Sequence, residues 1–74
     1  MESDTKIFLE RLGTRIATLR LSKKISQNEL ALRMGSDKAN LRKLEKGKRN
    51  ATVSTLINIC DGLEISMSDL FNFD

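Results

Sequence analysis

Several residue types on which catalysis and metal binding depend are missing from this chain of 74 residues. It contains no histidine, tryptophan or tyrosine, and Cys60 is its only cysteine. An internal disulfide and a zinc site of cysteine and histidine are therefore excluded. No glycine-rich phosphate loop or paired-carboxylate motif is present either. We expect no enzyme, no metal, no cofactor and no evident small-molecule ligand.

Proline is also absent, and no apolar run approaches the roughly 20 residues that a membrane span requires. The polar start of the chain lacks the apolar core of a signal peptide, and a lone cysteine fits a reducing compartment. We therefore expect a cytoplasmic protein without a membrane partner. The length fits a single domain over residues 1–74.

Positive charge is concentrated in the middle of the chain. Residues 38–49 hold six bases and one acid, a net charge of +5, whereas the whole chain carries +3. Residues 50–74 hold four acids and no base. This polarity favours a protein that presents one face to a polyanion, although a lysine-rich solvated helix face is the more ordinary meaning of such a run.

Apolar spacing predicts an all-α protein. Phe8, Leu12, Ile16 and Leu19 recur at steps of four and three, as on the buried stripe of a first helix. No segment alternates with the period of a strand. Five helices are expected, at about residues 5–22, 27–34, 38–46, 53–63 and 67–72.

Capping residues indicate where these helices begin and end. Ser26 and Glu29 have the spacing of a capping box, Gly35 can end the second helix, and Asp37 can cap the third. Thr52 and Ser66 open the last two helices in the same way. Two helices joined by a tight turn, with the second one basic, form a helix-turn-helix unit.

The outer face of the third helix carries the candidate chemistry. With Leu41 and Leu44 turned to the core, about 100° per residue places Lys38 and Asn40 on the flanks. The residues turned outward are Ala39, Arg42, Lys43 and Lys46. Lysine and arginine donate to guanine, and an alanine methyl meets the thymine methyl. We predict base reading by Lys38, Ala39, Arg42 and Lys43.

The segment from Leu12 to Phe71, about four-fifths of the chain, resembles the helix-turn-helix domain of the Cro/cI/Xre repressor family. The matching motifs are Leu12-Gly13-x-x-Ile16-x-x-Leu19-Arg20, Ser26-Gln27-x-Glu29-Leu30-Ala31, Met34-Gly35, Leu41-x-x-Leu44-Glu45-x-Gly47-Lys48-Arg49-Asn50, Leu56-x-x-Ile59 and Leu63. The resemblance implies a lambda-repressor-like five-helix bundle. It also implies a transcriptional regulator that inserts helix 38–46 into the major groove of a palindromic operator and acts by occupancy.

The resemblance further implies roles for single residues. Those that match contacts to the DNA backbone are Gln27, Lys46, Lys48 and Asn50. Arg20 and Glu45 match a structural ion pair between the first and third helices, although Glu45 also has the spacing to pair with Arg42 or Arg49. Lys24 and Glu64 stand where the family often has glycine, and Ser36 stands where a buried valine or isoleucine is common.

The end of the chain is apolar enough to suggest a partner surface. We predict a homodimer whose interface includes Ile65, Leu70, Phe71 and Phe73, with reading helices about 34 Å apart on double-stranded DNA. A tail that folds back over the core is an equally good interpretation.

Several functions remain open on the sequence. The segment Arg-Asn-x-Thr at 49–52 resembles controller proteins of restriction–modification systems, and phage-type repressors are nearly as close. The alternative is an antitoxin-like or other protein-interaction module whose DNA binding is secondary. A nucleic-acid binder that uses charge alone is a further possibility.

Overall fold

The computed structural model describes residues 2–73, and within them it contains five helices and no strand. The helices are α1 (Glu2–Ser22), α2 (Gln27–Met34), α3 (Lys38–Glu45), α4 (Val53–Leu63) and α5 (Met67–Leu70). The all-α, five-helix prediction is therefore confirmed. Three bounds differ: α1 begins earlier than predicted, α3 ends one residue earlier and α5 is two residues shorter.

Each of these shifts has a local cause. Asp4 lies in the first turn of α1, where an acidic side chain stabilises the amino-terminal end of a helix. Lys46 is the C-cap of α3, and Gly47 follows it with a left-handed φ of 72°. Phe71 is the C-cap of α5, and the chain beyond it turns back toward α1.

The core is formed by the inward faces of all five helices. Its fully buried large side chains are Ile16, Leu30, Leu41, Ile59, Leu63 and Leu70. Phe8 was predicted to be part of the buried stripe of α1, but its side chain is 47% exposed. The prediction was wrong because Phe8 lies one turn before Leu12, at the margin of the core, where it packs against the half-buried rings of Phe71 and Phe73.

The carboxyl-terminal segment folds back rather than projecting. Phe71 and Phe73 are half-buried, and their ring centroids lie 6.1 and 5.9 Å from that of Phe8. Leu70 was predicted to line a dimer interface, yet it is 0% exposed. That assignment is corrected, because a side chain already enclosed by its own core offers no surface to a second copy.

Two glycines lie at close helix contacts, and the backbone contact at Gly13 requires its glycine. A Cβ on Gly13 would collide with the backbone carbonyls of Leu44 and Glu45, so α1 crosses the end of α3 at Gly13. A Cβ on Gly62 would lie 2.8 Å from Cδ1 of Leu30. The helix-propensity cost of Gly62, about 1 kcal/mol relative to alanine, is therefore offset by the close approach of α2.

The caps form largely as predicted, with one difference. The side chains of Ser26, Asp37, Thr52 and Ser66 each accept from the backbone N–H three residues on. At α2, however, Glu29 does not complete a capping box, because its Oε2 accepts from Nε of Arg33 at 3.0 Å. The reciprocal box is present in α5, between Ser66 and Asp69.

Candidate nucleic-acid interface

A tight turn aims α3 outward from the bundle. Gly35 ends α2 with a φ of 69°, and Asp37 caps α3 through Oδ1, which accepts from the Asn40 N–H at 2.7 Å. The inner face of α3 is fixed by Leu41 and Leu44, which are 0% and 4% exposed. Because these two side chains are held in the core, the opposite face of α3 is held toward solvent.

The four predicted base-reading residues lie together on that outward face. Lys38, Ala39, Arg42 and Lys43 are all exposed. Lys46, Lys48 and Asn50 are exposed as well, in the loop between α3 and α4. We name these seven exposed residues of the helix and the loop the basic face (residues 38, 39, 42, 43, 46, 48 and 50). Long cationic donors with one small residue among them suit the edges and phosphates of DNA.

Behind the basic face, Glu45 joins α1, α2 and α3. Its Oε2 accepts from Nε of Arg20 at 2.7 Å, and its Oε1 accepts from Nη2 of Arg20 at 3.1 Å. The same Oε1 accepts from Nε2 of Gln27 at 2.9 Å. Arg20 also donates to the carbonyl of Ile25 at 2.9 Å, so the turn before α2 belongs to the network.

This network is buried, with side-chain exposures of 10% for Arg20 and 6% for Glu45. Bidentate, charge-assisted bonds fix direction as well as distance. The position of α3 relative to α1 and α2 is therefore set by specific bonds rather than by apolar packing alone. Gln27, predicted to reach the DNA backbone, uses one amide N–H here and retains a second.

A second polar cluster was not anticipated from the sequence. Asn40 Nδ2 donates to Ser36 Oγ at 2.9 Å, and Arg49 Nη1 donates to Asn40 Oδ1 at 2.7 Å. Ser36 therefore anchors the turn through a hydrogen bond at a position where the resemblance implies that a buried valine or isoleucine is common. The only available signal was that Ser36 and Asn40 lie one helical turn apart.

The remaining candidate chemistry is modest. Cys60 is buried beside Met67, and burial, with smaller contributions from Asp61 and Asp69, raises the pKa of its thiol. Within residues 2–73, no group of three or more potential ligands could hold a metal ion. None of the helices described is long and apolar enough to cross a membrane. The basic face is thus the principal functional feature of the described chain.

The turn, the outward basic helix and the network behind it define a helix-turn-helix protein. A comparison with protein families supports this class independently, since the helix-turn-helix family HTH_3 matches residues 16–70. The chain belongs to the HTH_3 helix-turn-helix family.

Similar proteins include a transcriptional regulator and a control protein. The chain is 37% identical over 59 residues to an uncharacterised HTH-type transcriptional regulator, y4dJ, of Sinorhizobium fredii, covering 80% of this chain and 77% of the relative. It is 35% identical over 71 residues to the control protein C.MunI of a Mycoplasma species, covering 95% of this chain and 92% of the relative.

A solved structure of a similar protein has the same fold. The restriction–modification controller protein C.AhdI of Aeromonas hydrophila superposes with a TM-score of 0.86 at 31% identity, over 88% of this chain and 98% of its own. Family, relatives and fold together make this chain a DNA-binding transcriptional regulator of the helix-turn-helix type.

Proposed function

We propose that the protein binds a palindromic operator as a homodimer and inserts α3 into the major groove, acting by occupancy in the cytoplasm rather than by catalysis. The observation that carries this proposal is the exposure of Lys38, Ala39, Arg42 and Lys43 on one side of a helix whose other side is buried. A helix held in this way fits a groove about 12 Å wide.

The basic face divides into two parts by position. Lys38 and Ala39 occupy the first turn of α3, the part of a recognition helix that meets base edges, and Arg42 and Lys43 follow on the next turn. Lys46, Lys48 and Asn50 lie beyond the helix, where they contact phosphates. Gln27 donates its free amide N–H to a phosphate beside the start of α2.

The proposed dimer interface contains Ile65, Phe71 and Phe73. All three are only half-buried in the monomer, and Phe71 stacks on the exposed ring of Phe8, which extends the apolar surface. A two-fold interface there shares no residue with the basic face, so both basic faces remain available to DNA. The two copies of α3 then lie about 34 Å apart, one turn of DNA.

The biological setting that we propose is control of a restriction–modification system. C.AhdI bears the name of a restriction–modification controller and C.MunI that of a control protein, and each aligns with this chain over most of its own length. Dimer formation follows mass action, so occupancy of the operator depends on the protein's own concentration.

Selection of bound sites from random DNA duplexes tests the proposal. We expect an enriched palindrome, and an affinity for it at least 10³-fold above that for a scrambled duplex at moderate salt. Equal affinity for both duplexes, with a steep salt dependence, would indicate binding by charge alone. No binding to either duplex would favour the protein-interaction module.

A further inference from the structure

The cluster of Ser36, Asn40 and Arg49 connects the turn before α3 to the loop after it. Both polar atoms of the Asn40 amide are engaged, Nδ2 with Ser36 and Oδ1 with Arg49. The backbone N–H of Asn40 is bonded to Asp37. Asn40 therefore has a structural task in the free protein, in contrast to the pairing with adenine that its residue type allows.

The bond to Asn40 directs Arg49 back along α3. Arg49 lies four residues beyond Glu45, the last residue of the helix, yet its guanidinium meets Asn40 in the first turn. Asn40 is half-buried on the flank of α3, whereas Ala39 and Lys43 point outward. A guanidinium on the flank faces the wall of a groove that α3 enters, and phosphates line that wall.

Arg49 retains most of its capacity to donate. A guanidinium has five N–H groups, and a single one is used in the bond to Asn40. Within the described residues, no other hydrogen bond or ion pair involves this side chain, which is exposed. Residues 46–52 contain no acid, so nothing in the loop neutralises the charge. Such an arginine suits a phosphate, which accepts bidentate bonds.

We propose that Arg49 binds a DNA phosphate beside the first turn of α3, and that Asn40 is the positioning residue that holds its guanidinium there. The inference rests on the proposed function and adds a contact that fixes the register of α3 in the groove. An arginine already oriented by Asn40 loses less side-chain freedom on binding than a free one.

A double-mutant cycle with salt titrations tests the contact. Fluorescence anisotropy on the selected and scrambled duplexes compares wild type, Arg49→Ala, Asn40→Ala and the double variant. Arg49→Ala is expected to weaken binding about tenfold on both duplexes and to lower the slope of log K against log salt by about one. Asn40→Ala weakens binding several-fold without changing the slope, because the charge of Arg49 remains.

The double variant should bind no more weakly than Arg49→Ala, because Asn40 acts through Arg49. Arg49→Lys is the matched control: it keeps the slope but loses affinity, since a lysine cannot make the planar two-bond contact. Circular dichroism of Asn40→Ala checks that the helices remain folded.

Three results would overturn the inference: Arg49→Ala binding within twofold of wild type, a loss confined to the selected duplex, or fully additive effects of Asn40 and Arg49. A wild-type protein without preference for the selected duplex would refute the proposed function instead. In that case the change in salt slope caused by Arg49→Ala on any duplex still decides whether Arg49 holds a phosphate.

Discussion

Glu45 and Arg20 form a bidentate ion pair, at 2.7 and 3.1 Å, between the end of α3 and the end of α1. Glu45 is the one acid among the bases of residues 38–49, so the residue that opposes the local charge is also the residue that fixes the helix in place. The helix that carries the basic face is thereby bonded to α1 through the one acid of residues 38–49.

Breaking this pair should destabilise the protein strongly. Glu45→Ala leaves the buried guanidinium of Arg20 without its anion, and we expect a loss of about 3–5 kcal/mol in the free energy of unfolding. Urea denaturation followed by circular dichroism measures it. Replacing both partners, as in Arg20→Met with Glu45→Leu, should recover most of the loss, because no unpaired charge then remains buried. A loss below about 1 kcal/mol for Glu45→Ala would show that solvent compensates for the missing carboxylate.

The fold was predictable from the sequence because its signals are local. Apolar spacing, Gly35, and the caps at Asp37 and Thr52 each act within a few residues, and the structure reproduces them. The exposure of Phe8 and the complete burial of Leu70 were not predictable in this way. Which of two apolar residues is enclosed depends on how the tail packs against α1, which is a relation between distant segments.

In the candidate site, too, local features were predictable from the sequence and contacts between distant segments were not. Outward exposure of Ala39, Arg42 and Lys43 followed from the helical period once Leu41 and Leu44 were placed inside, whereas Lys38 was placed on a flank and is exposed as well. The bond between Asn40 and Arg49 could not be derived, because it depends on the path of the loop after Gly47. The family resemblance supplied the pair of Arg20 and Glu45, whereas spacing alone left other partners open for Glu45.

Lys24 is a site at which stability can be gained. It adopts a left-handed φ of 60°, which costs a non-glycine residue about 1–2 kcal/mol. Lys24→Gly removes that strain, but the greater freedom of glycine in the unfolded chain costs about 0.5–1 kcal/mol of stability. We therefore expect the free energy of unfolding to rise by up to about 1 kcal/mol. Lys24→Ala is the matched control, since it removes the same charge and keeps the strain. Equal thermal midpoints for the two variants would contradict this explanation.

Cys60 should make the protein less stable at alkaline pH. Because burial raises the pKa of its thiol in the folded state, the unfolded chain releases this proton at a lower pH than the folded protein does. The contribution of the protonated thiol to the free energy of unfolding is therefore fully present below the pKa of the unfolded chain, about 8.5–9. It is lost as the pH rises through the raised pKa of the folded protein. The free energy of unfolding, measured in urea with a reductant from pH 7 to 10, should fall more steeply for wild type than for Cys60→Ala. Parallel curves would show that ionisation of the thiol does not affect folding.

A variant of Lys43 tests whether this residue contacts a base or only attracts the DNA phosphates by its charge. Lys43 lies at the centre of the exposed side of α3, with no hydrogen bond or ion pair to its amine among the described contacts. We expect Lys43→Ala to weaken binding to the selected duplex by about 1–3 kcal/mol and to relax specificity at one base pair, with little effect on stability. Anisotropy titrations and a repeated site selection measure both effects. Arg11→Ala, which removes an exposed positive charge from α1, is the matched control and should leave the selected site unchanged. If Lys43→Ala lowers affinity equally for selected and scrambled duplexes, Lys43 binds phosphate, and sequence is read by Lys38, Ala39 and Arg42 without it.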